Sequence, residues 1–295
     1  MTLQGFLHIA EHGLLHTLQE CLQIFPLLYV SYLLMELLEH KAGERTYDLI
    51  RRSGKVGPLL GGVLGILPQC GFSAAAAGLY AGRVVSLGTL IAVFLSTSDE
   101  MIPVLIAGEM PIPTVVILVL LKAVIAILCG FACDLLFRRK DAAQEEVEEL
   151  CEQEGCHCKG KSLFLAALLH AARVLLFIFI VSFVLHTGLE LIGEERLSSL
   201  PLRIPFVSHL FAAVIGLVPN CAASVVLCEL YLGGALSLGA MLSGLLVGSG
   251  VGILVLFRTN HRAKENILIA LSLVGLGLLF GLLFDLTGLA SILPL

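Results

Sequence analysis

The strongest constraint on this chain is a 34-residue segment that occurs twice, 151 residues apart and without gaps. The copies span 65–98 and 216–249, and twelve aligned positions are identical. Each copy places a proline, an amide and a cysteine inside an apolar stretch, at Pro68-Gln69-Cys70 and Pro219-Asn220-Cys221. Proline removes a backbone donor and clashes with the preceding turn, so neither copy favours one straight helix. The pattern is typical of a substrate site formed where two repeats meet.

The composition places these repeats in a membrane. Hydrophobic residues make up 58% of the chain and charged residues only 14%, whereas a soluble domain is usually about 25% charged. Several apolar stretches exceed the roughly 18 to 20 residues that span a bilayer. The sequence therefore predicts an all-α polytopic membrane protein whose surroundings are lipid, and it carries no signature of a nucleic-acid partner.

Eight hydrophobic segments follow from the apolar runs. They lie at about 12–37, 56–82, 84–108, 112–137, 163–192, 205–232, 235–257 and 266–292.

The basic residues orient these segments. Loops 38–56, 138–161 and 258–264 hold 13 of the 18 lysines and arginines, so the positive-inside rule makes all three cytoplasmic. Loop 193–204 balances its two arginines with two glutamates, and we expect it outside.

This orientation requires a re-entrant segment in each half. Three segments separate the first two cytoplasmic loops, yet three full crossings would place those loops on opposite sides. Segment 56–82 is broken by its proline, and if it enters and leaves the membrane on the same side, both loops lie in the cytoplasm. Segment 205–232 is the equivalent segment of the second half. The alternative is that both are kinked full spans and that the charge rule fails at one loop.

The predicted fold is thus two inverted-topology repeats, each with a broken helix or re-entrant hairpin, whose tips meet near the midplane. Repeat 1 covers 1–137 and repeat 2 covers 162–295. The acidic loop 138–161 joins them in the cytoplasm. Irregular backbone at membrane depth is tolerated only where protein or a water cavity covers it, which favours tips that face each other.

The hairpin tips and one acidic pair carry the candidate chemistry. Gln69 and Asn220 supply hard amide oxygens, whereas the adjoining thiols are soft ligands. Asp99-Glu100 falls in the middle of a span, where carboxylates need a cation, a proton or a buried partner. We therefore expect a metal site built from Asp99, Glu100, Gln69, Asn220, Cys70, Cys221, Ser98 and Ser249. The aligned residues of repeat 2 are Gly250-Val251, so only one repeat supplies charge.

Each of these residues has a simpler explanation. Buried cysteines are commonly packing residues. The acidic pair could form a structural ion pair with Lys122, or Lys122 could neutralise the empty site and give way to a metal.

Two further clusters are candidates for moving metals or protons. The first segment carries a stripe with a spacing of four, which places its members on one helix face, and Glu11 lies close to that face. The stripe consists of His8, His12, His16 and Glu20. It suits a metal path or a proton path, or an amphipathic end at the membrane surface. The cytoplasmic loop carries Cys156-His157-Cys158, which could hold a metal transiently but lacks the second pair of a structural zinc site.

The motifs at 65–73 and 96–106 resemble those of ten-span heavy-metal exporters, whose members carry the labels arsenic efflux protein and manganese transporter. The specific part is Pro68-Gln69-Cys70-Gly71 with Thr97-Ser98-Asp99-Glu100, together with Pro219-Asn220-Cys221 in the second half. The resemblance extends over both repeats. It implies export of a metal or metalloid from a bacterial cytoplasm, across the inner membrane.

We therefore expect a secondary active exporter of a divalent cation, with Mn²⁺ favoured and proton exchange as the coupling. The transported ion is its substrate, and no resident cofactor is expected. The alternatives are an arsenite or organoarsenical permease and a carrier of small organic anions. The chain has no phosphate-binding loop and no His-Glu-x-x-His pair, so neither an ATP-driven pump nor a membrane metalloenzyme is favoured. Assembly into a homo-oligomer is left open.

Overall fold

The computed structural model describes residues 56–66, 70–98, 101–137, 205–220 and 222–288, together with helical positions within 14–33 and 164–184. Across these residues the fold is helices and connecting turns, without a strand. The continuous helices of the first half are α1 Gly57–Leu64, α2 Cys70–Ala81, α3 Leu87–Ser96, α4 Met101–Ala107 and α5 Ile112–Leu136. Those of the second half are α6 Pro205–Gly216, α7 Ala222–Leu232, α8 Leu238–Val247, α9 Gly252–Thr259 and α10 Ala263–Leu286.

Four described stretches are long and apolar enough to cross a membrane, namely Leu87–Ala107, Ile112–Leu136, Leu238–Thr259 and Ala263–Leu286. Helix α5 shows how they are built. Its large apolar residues recur every four positions on one face and are 49–64% exposed, which leaves them available to lipid, at Ile112, Val116, Leu120, Val124 and Leu128. Its opposite face is buried. The chain is therefore a multi-pass helical membrane protein.

The order of helices repeats along the chain. Helices α3, α4 and α5 begin 151 residues before α8, α9 and α10, which is the offset of the duplicated sequence. The sequence predicted segments 84–108 and 235–257 as single spans. Each is instead divided, because α3 ends at Ser96 with α4 beginning at Met101, and α8 ends at Val247 with α9 beginning at Gly252.

One polar motif fixes the same pair of helices in both halves. Ser86 caps α3, accepting a hydrogen bond from the Thr89 amide at 3.1 Å, and its hydroxyl donates to Asp134 near the end of α5 at 2.7 Å. The second carboxylate oxygen of Asp134 accepts from the Gly88 amide at 2.7 Å. A carboxylate at a helix N-terminus is favoured by the helix dipole.

The second half repeats this motif with Ser237, Gly239 and Asp285. Glycines make the close approach possible, since a Cβ on Gly88 would overlap the carbonyl oxygen of Gly130. Asp285, for which the sequence indicated no specific role, is thus a helix-capping residue.

Helix α1 lies along the first part of α3. A Cβ on Gly57 would overlap Thr89, and one on Gly65 would overlap Ser96, so the two helices run in the same direction. In the second half α6 lies along α8, where a Cβ on Gly216 would overlap the backbone of Gly244.

The two halves also pack into each other. Helix α2 packs on α9, where a Cβ on Gly252 would come within 2.7 Å of Ser73 Cβ and 2.8 Å of Phe94 Cε1. Helix α4 packs on α7, and a Cβ on Gly108 would overlap Leu232. The core runs through both halves along the middle of α3 and α8, as Phe94, Leu95, Met241 and Leu246 show.

Candidate substrate site

The site begins with the broken helices. Thr97 leaves the helical conformation with φ −51° and ψ 125°, which ends α3. Gly248 ends α8 in an extended conformation, and Gly250 has a φ of +53°, a left-handed conformation that a side chain would strain. Each break leaves backbone donors and acceptors without helical partners. In a membrane such groups need protein, water or a ligand close by.

The breaks from the two halves border the same small cavity. Its lining comprises Thr97, Ser98, Met101, Lys122, Gly216, Asn220, Ala223, Ser224, Leu227, Gly244, Leu245, Gly248 and Gly250. The cavity volume is about 10 Å³. That is room for about one water molecule, or for an ion without its hydration shell.

Lys122 is the cationic residue of this lining. It lies midway along α5, on the face opposite the exposed stripe, and is only 1% exposed. Its Nζ donates a hydrogen bond to the carbonyl oxygen of Thr97 at 2.5 Å. That carbonyl lies just beyond the C-terminal end of α3, where the helix dipole favours a positive charge. Lys122 thus joins α5 to the break in the neighbouring span.

Asn220 lines the cavity and also closes a turn. Its Oδ1 accepts a hydrogen bond from the Ala222 amide at 3.0 Å, which forms an Asx turn at the start of α7. Its Nδ2 is buried and has no hydrogen-bond partner among the described residues. Exchanging the two atoms would set a donor against the Ala222 N–H, so the orientation is fixed by the turn. The side chain itself is 2% exposed.

The hydroxyl groups at the first break are engaged locally. Ser96 and Thr97 donate to carbonyl oxygens of the preceding helical turn, and Ser98 Oγ donates to the Ser96 carbonyl oxygen at 3.0 Å. Ser98 lines the cavity and is 1% exposed. Its equivalent Ser249 is also buried, at 2% exposed, beside the second break.

The structure therefore brings three of the predicted residues to one cavity, namely Ser98, Asn220 and Lys122. For Cys70 the structure describes only the backbone. Twelve further predicted site residues lie outside the described residues. These are Gln69, Asp99, Glu100, Cys221, His8, Glu11, His12, His16, Glu20, Cys156, His157 and Cys158. Within the part of the chain that the structure describes, no three His, Cys, Asp or Glu residues form a metal-binding group.

Chain connectivity still relates the acidic pair to the cavity. Asp99 and Glu100 are the two residues between Ser98 and Met101, and both of those neighbours line the cavity. Likewise Cys221 follows the lining residue Asn220 directly.

Sequence reasoning missed two buried residues, Cys228 near the cavity and His209 near the start of α8. Cys228 is fully buried one helical turn after the lining residue Ser224. The sequence feature that could have revealed Cys228 is its spacing of four residues from Ser224 within the second repeat. His209 is also fully buried, with Nε2 3.4 Å from Asp285 Oδ2. Nothing in the sequence pairs these two residues, which are 76 positions apart.

Comparisons with known proteins give one match. Residues 23–193 match the model of the ArsP_2 family, whose description is "Putative, 10TM heavy-metal exporter". The match ends before α6, so the relation of the second half to the first rests on the internal duplication. No curated protein and no solved structure matches the chain. Because the family model covers more than half of the 295 residues, the chain belongs to this family of heavy-metal exporters.

Proposed function

We propose that this protein is a secondary active exporter of a divalent heavy-metal cation, with Mn²⁺ as the favoured ion and proton exchange as the coupling. The observation that carries the proposal is the cavity between the two broken spans, which combines polar residues of both halves at membrane depth. Transporters commonly bind their substrates between repeats, beside discontinuous helices. Family membership supplies the heavy-metal class and the direction.

The packing of α1 supports a re-entrant first hairpin. Gly57 lies beside Thr89, near the start of span Leu87–Ala107, whereas Gly65 lies beside Ser96, near its middle. Helix α2 then leads back to Arg83, which pairs with Glu265 at the start of α10. Segment 56–82 would thus reach the midplane and return to the face from which it came.

The packing of α6 supports a second hairpin from the opposite face. His209 lies beside Asp285 at the end of α10, whereas Gly216 lies beside Gly244, towards the break in the second span. Helix α7 then returns to Leu232, next to the turn that begins α5. Together with the basic loop 258–264, this arrangement supports inverted repeats whose Arg83 end is cytoplasmic.

In the proposed site, Asp99 and Glu100 supply the charge that a divalent cation needs, and Gln69 adds an amide oxygen. Cys70, Cys221 and the buried serines would complete or flank the ligand set. The histidine stripe of the first segment and Cys156-His157-Cys158 of the cytoplasmic loop would serve access to the site. Alternating access would move one bundle against the other around the hairpin tips.

Transport in everted membrane vesicles tests this proposal. Wild-type vesicles should accumulate Mn²⁺ when acidified inside, and Asp99→Asn should abolish the uptake because half of the carboxylate charge is lost. Normal Mn²⁺ uptake by Asp99→Asn would contradict the metal site. Thr287→Ser, at an exposed helix end away from the cavity, is the matched control and should transport like the wild type.

One observation favours the second candidate, an arsenite or organoarsenical permease. Two residues of the lining carry hydrogen-bond donors, since Lys122 has an ammonium group and Asn220 has a buried Nδ2 without a partner among the described residues. Such groups suit an oxygen-bearing substrate. Arsenite uptake by the same vesicles that is lost in Cys70→Ala, without any Mn²⁺ uptake, would establish this candidate and exclude the first.

A further inference from the structure

Lys122 breaks the symmetry of the two halves at the cavity. The aligned residue in the second half is Leu273, which is fully buried in α10. One half therefore places an ammonium group in the bundle where the other places an isobutyl group. Because Leu273 packs at this position, shape alone does not require a lysine there.

The Lys122 ammonium occupies a position whose electrostatic potential would favour any cation. Nζ lies against the Thr97 carbonyl oxygen at the end of α3, a site of negative potential. The next residues along the chain after Ser98 are Asp99 and Glu100. A divalent cation bound by these carboxylates would enter the region that already holds a positive charge.

We propose that Lys122 is a tethered cation of the substrate site, holding the position of the transported ion while the site is empty. The inference rests on the proposed function, export of a divalent cation. When the substrate binds, its two charges displace the ammonium from the Thr97 carbonyl. When the substrate leaves, the ammonium returns, so the acidic pair is never left uncompensated in the membrane.

This role also gives the site a means of selection. A monovalent ion such as Na⁺ carries the same charge as the ammonium and lacks the advantage of being tethered. A divalent ion gains twice the attraction to the same carboxylates. Lys122 would therefore exclude abundant monovalent cations as well as support the return of the empty carrier.

Equilibrium binding of Mn²⁺ to the purified full-length protein in lipid nanodiscs tests the proposal. Lys122→Met keeps the unbranched side chain but removes the charge, and it should bind Mn²⁺ on the order of tenfold more tightly, equivalent to about 1.4 kcal/mol. Na⁺ should compete with Mn²⁺ in this variant and not in the wild type. Lys122→Arg keeps the charge and should retain wild-type affinity within about threefold. Leu273→Met is the matched control at the aligned position and should leave both properties unchanged.

The outcomes separate this inference from the proposed function. Unchanged Mn²⁺ affinity in Lys122→Met, with Mn²⁺ transport in the wild type, would make Lys122 a structural ion-pair residue and overturn the inference alone. If the wild type neither binds nor transports Mn²⁺, and Lys122→Met loses arsenite binding, the proposed function falls with it. Should Lys122→Met fail to fold, Lys122→Leu copies the residue of the second half and answers the same question.

Discussion

Single polar side chains in this bundle serve either the helix framework or the cavity, and residue type alone does not separate the two roles. Asp134 and Asp285 are both half-buried and each accepts the same two hydrogen bonds, from a serine hydroxyl and a glycine amide. Asn220 does both, since its carbonyl oxygen fixes the start of α7 and its side chain belongs to the cavity lining.

The capping role of the two aspartates can be measured. Asp134→Asn and Asp285→Asn should each lower the free energy of unfolding by about 1 to 3 kcal/mol, because each removes charge-assisted hydrogen bonds. Denaturation of the detergent-solubilised variants gives this quantity. Glu109→Gln, at an exposed turn, should change it by less than about 0.5 kcal/mol. Full stability with abolished transport in Asp285→Asn would instead make Asp285 a site residue.

The two roles of Asn220 predict that one substitution changes substrate affinity without changing thermal stability. Asn220→Asp keeps the oxygen that accepts from Ala222, so its thermal unfolding should match the wild type. The same change removes the Nδ2 donor, so substrate affinity should change severalfold. Asn220→Ala removes both groups and should also lower stability by about 1 kcal/mol. Equal stability loss in both variants would show that the Asx turn does not depend on the oxygen.

At the level of helices, the packing depends on glycine and on one charged contact between the halves. Glycine lets α9 approach α2 closely at Gly252, whereas Gly275 on α10 has open space around it. The charged contact joins the turn after α2 to the start of α10. There Arg83 pairs with Glu265 at 2.9 and 3.2 Å, and Tyr80 also donates to that carboxylate.

The two glycines predict opposite results for the same substitution. Gly252→Ala should destabilise the protein by about 1 to 3 kcal/mol, since the new methyl would press on the Ser73 backbone. Gly275→Ala should be neutral or stabilise by up to about 1 kcal/mol, because alanine favours the helix and meets no neighbour. Melting temperatures of the two variants decide this. A tolerated Gly252→Ala would mean that α2 and α9 can move apart.

The Arg83–Glu265 contact should show measurable coupling. Arg83 adopts a left-handed conformation with φ +58°, where its aligned residue is Gly234 with φ +73°. A left-handed conformation is unfavourable for arginine, and we expect its ion pair with Glu265 to offset part of this cost. A double-mutant cycle with Arg83→Gln and Glu265→Gln should give a coupling energy of about 1 to 2 kcal/mol. Additive effects would show that the two side chains stabilise the helices independently.

For the whole molecule, the proposed inversion means that α5 and α10 cross the membrane in opposite directions. Both helices have exposed residues at their ends, which allows a direct test. The same test decides between a re-entrant and a kinked full span at 205–232, which lies between two of the labelled positions.

Cysteine labelling at matched helix ends measures this orientation. In a variant lacking the nine native cysteines, Glu109→Cys and Thr287→Cys should react with an impermeant maleimide in intact cells. Phe137→Cys and Lys264→Cys should react only after permeabilisation. Labelling of Lys264→Cys in intact cells would show that the two halves are parallel and would contradict the inverted arrangement.

Much of the architecture was open to prediction because its signals are local. The apolar runs, the duplicated segment and the proline breaks are each read within a few tens of residues. The helix ends at Thr97 and Gly248 were both missed, since these residues follow apolar runs without a proline. The small polar residues there, aligned at an offset of 151, were the available signal.

Hydropathy and internal repetition are properties of short stretches, so the amino-acid sequence alone shows a helical membrane protein with two related halves. That Ser98, Lys122 and Asn220 border one cavity follows only from the packing of the helices, since Asn220 lies 98 positions from Lys122 and 122 from Ser98. The packing also shows that Asn220 Oδ1 closes a turn and that Asp285 caps a helix. Those roles depend on which neighbours folding supplies, and no local pattern records them.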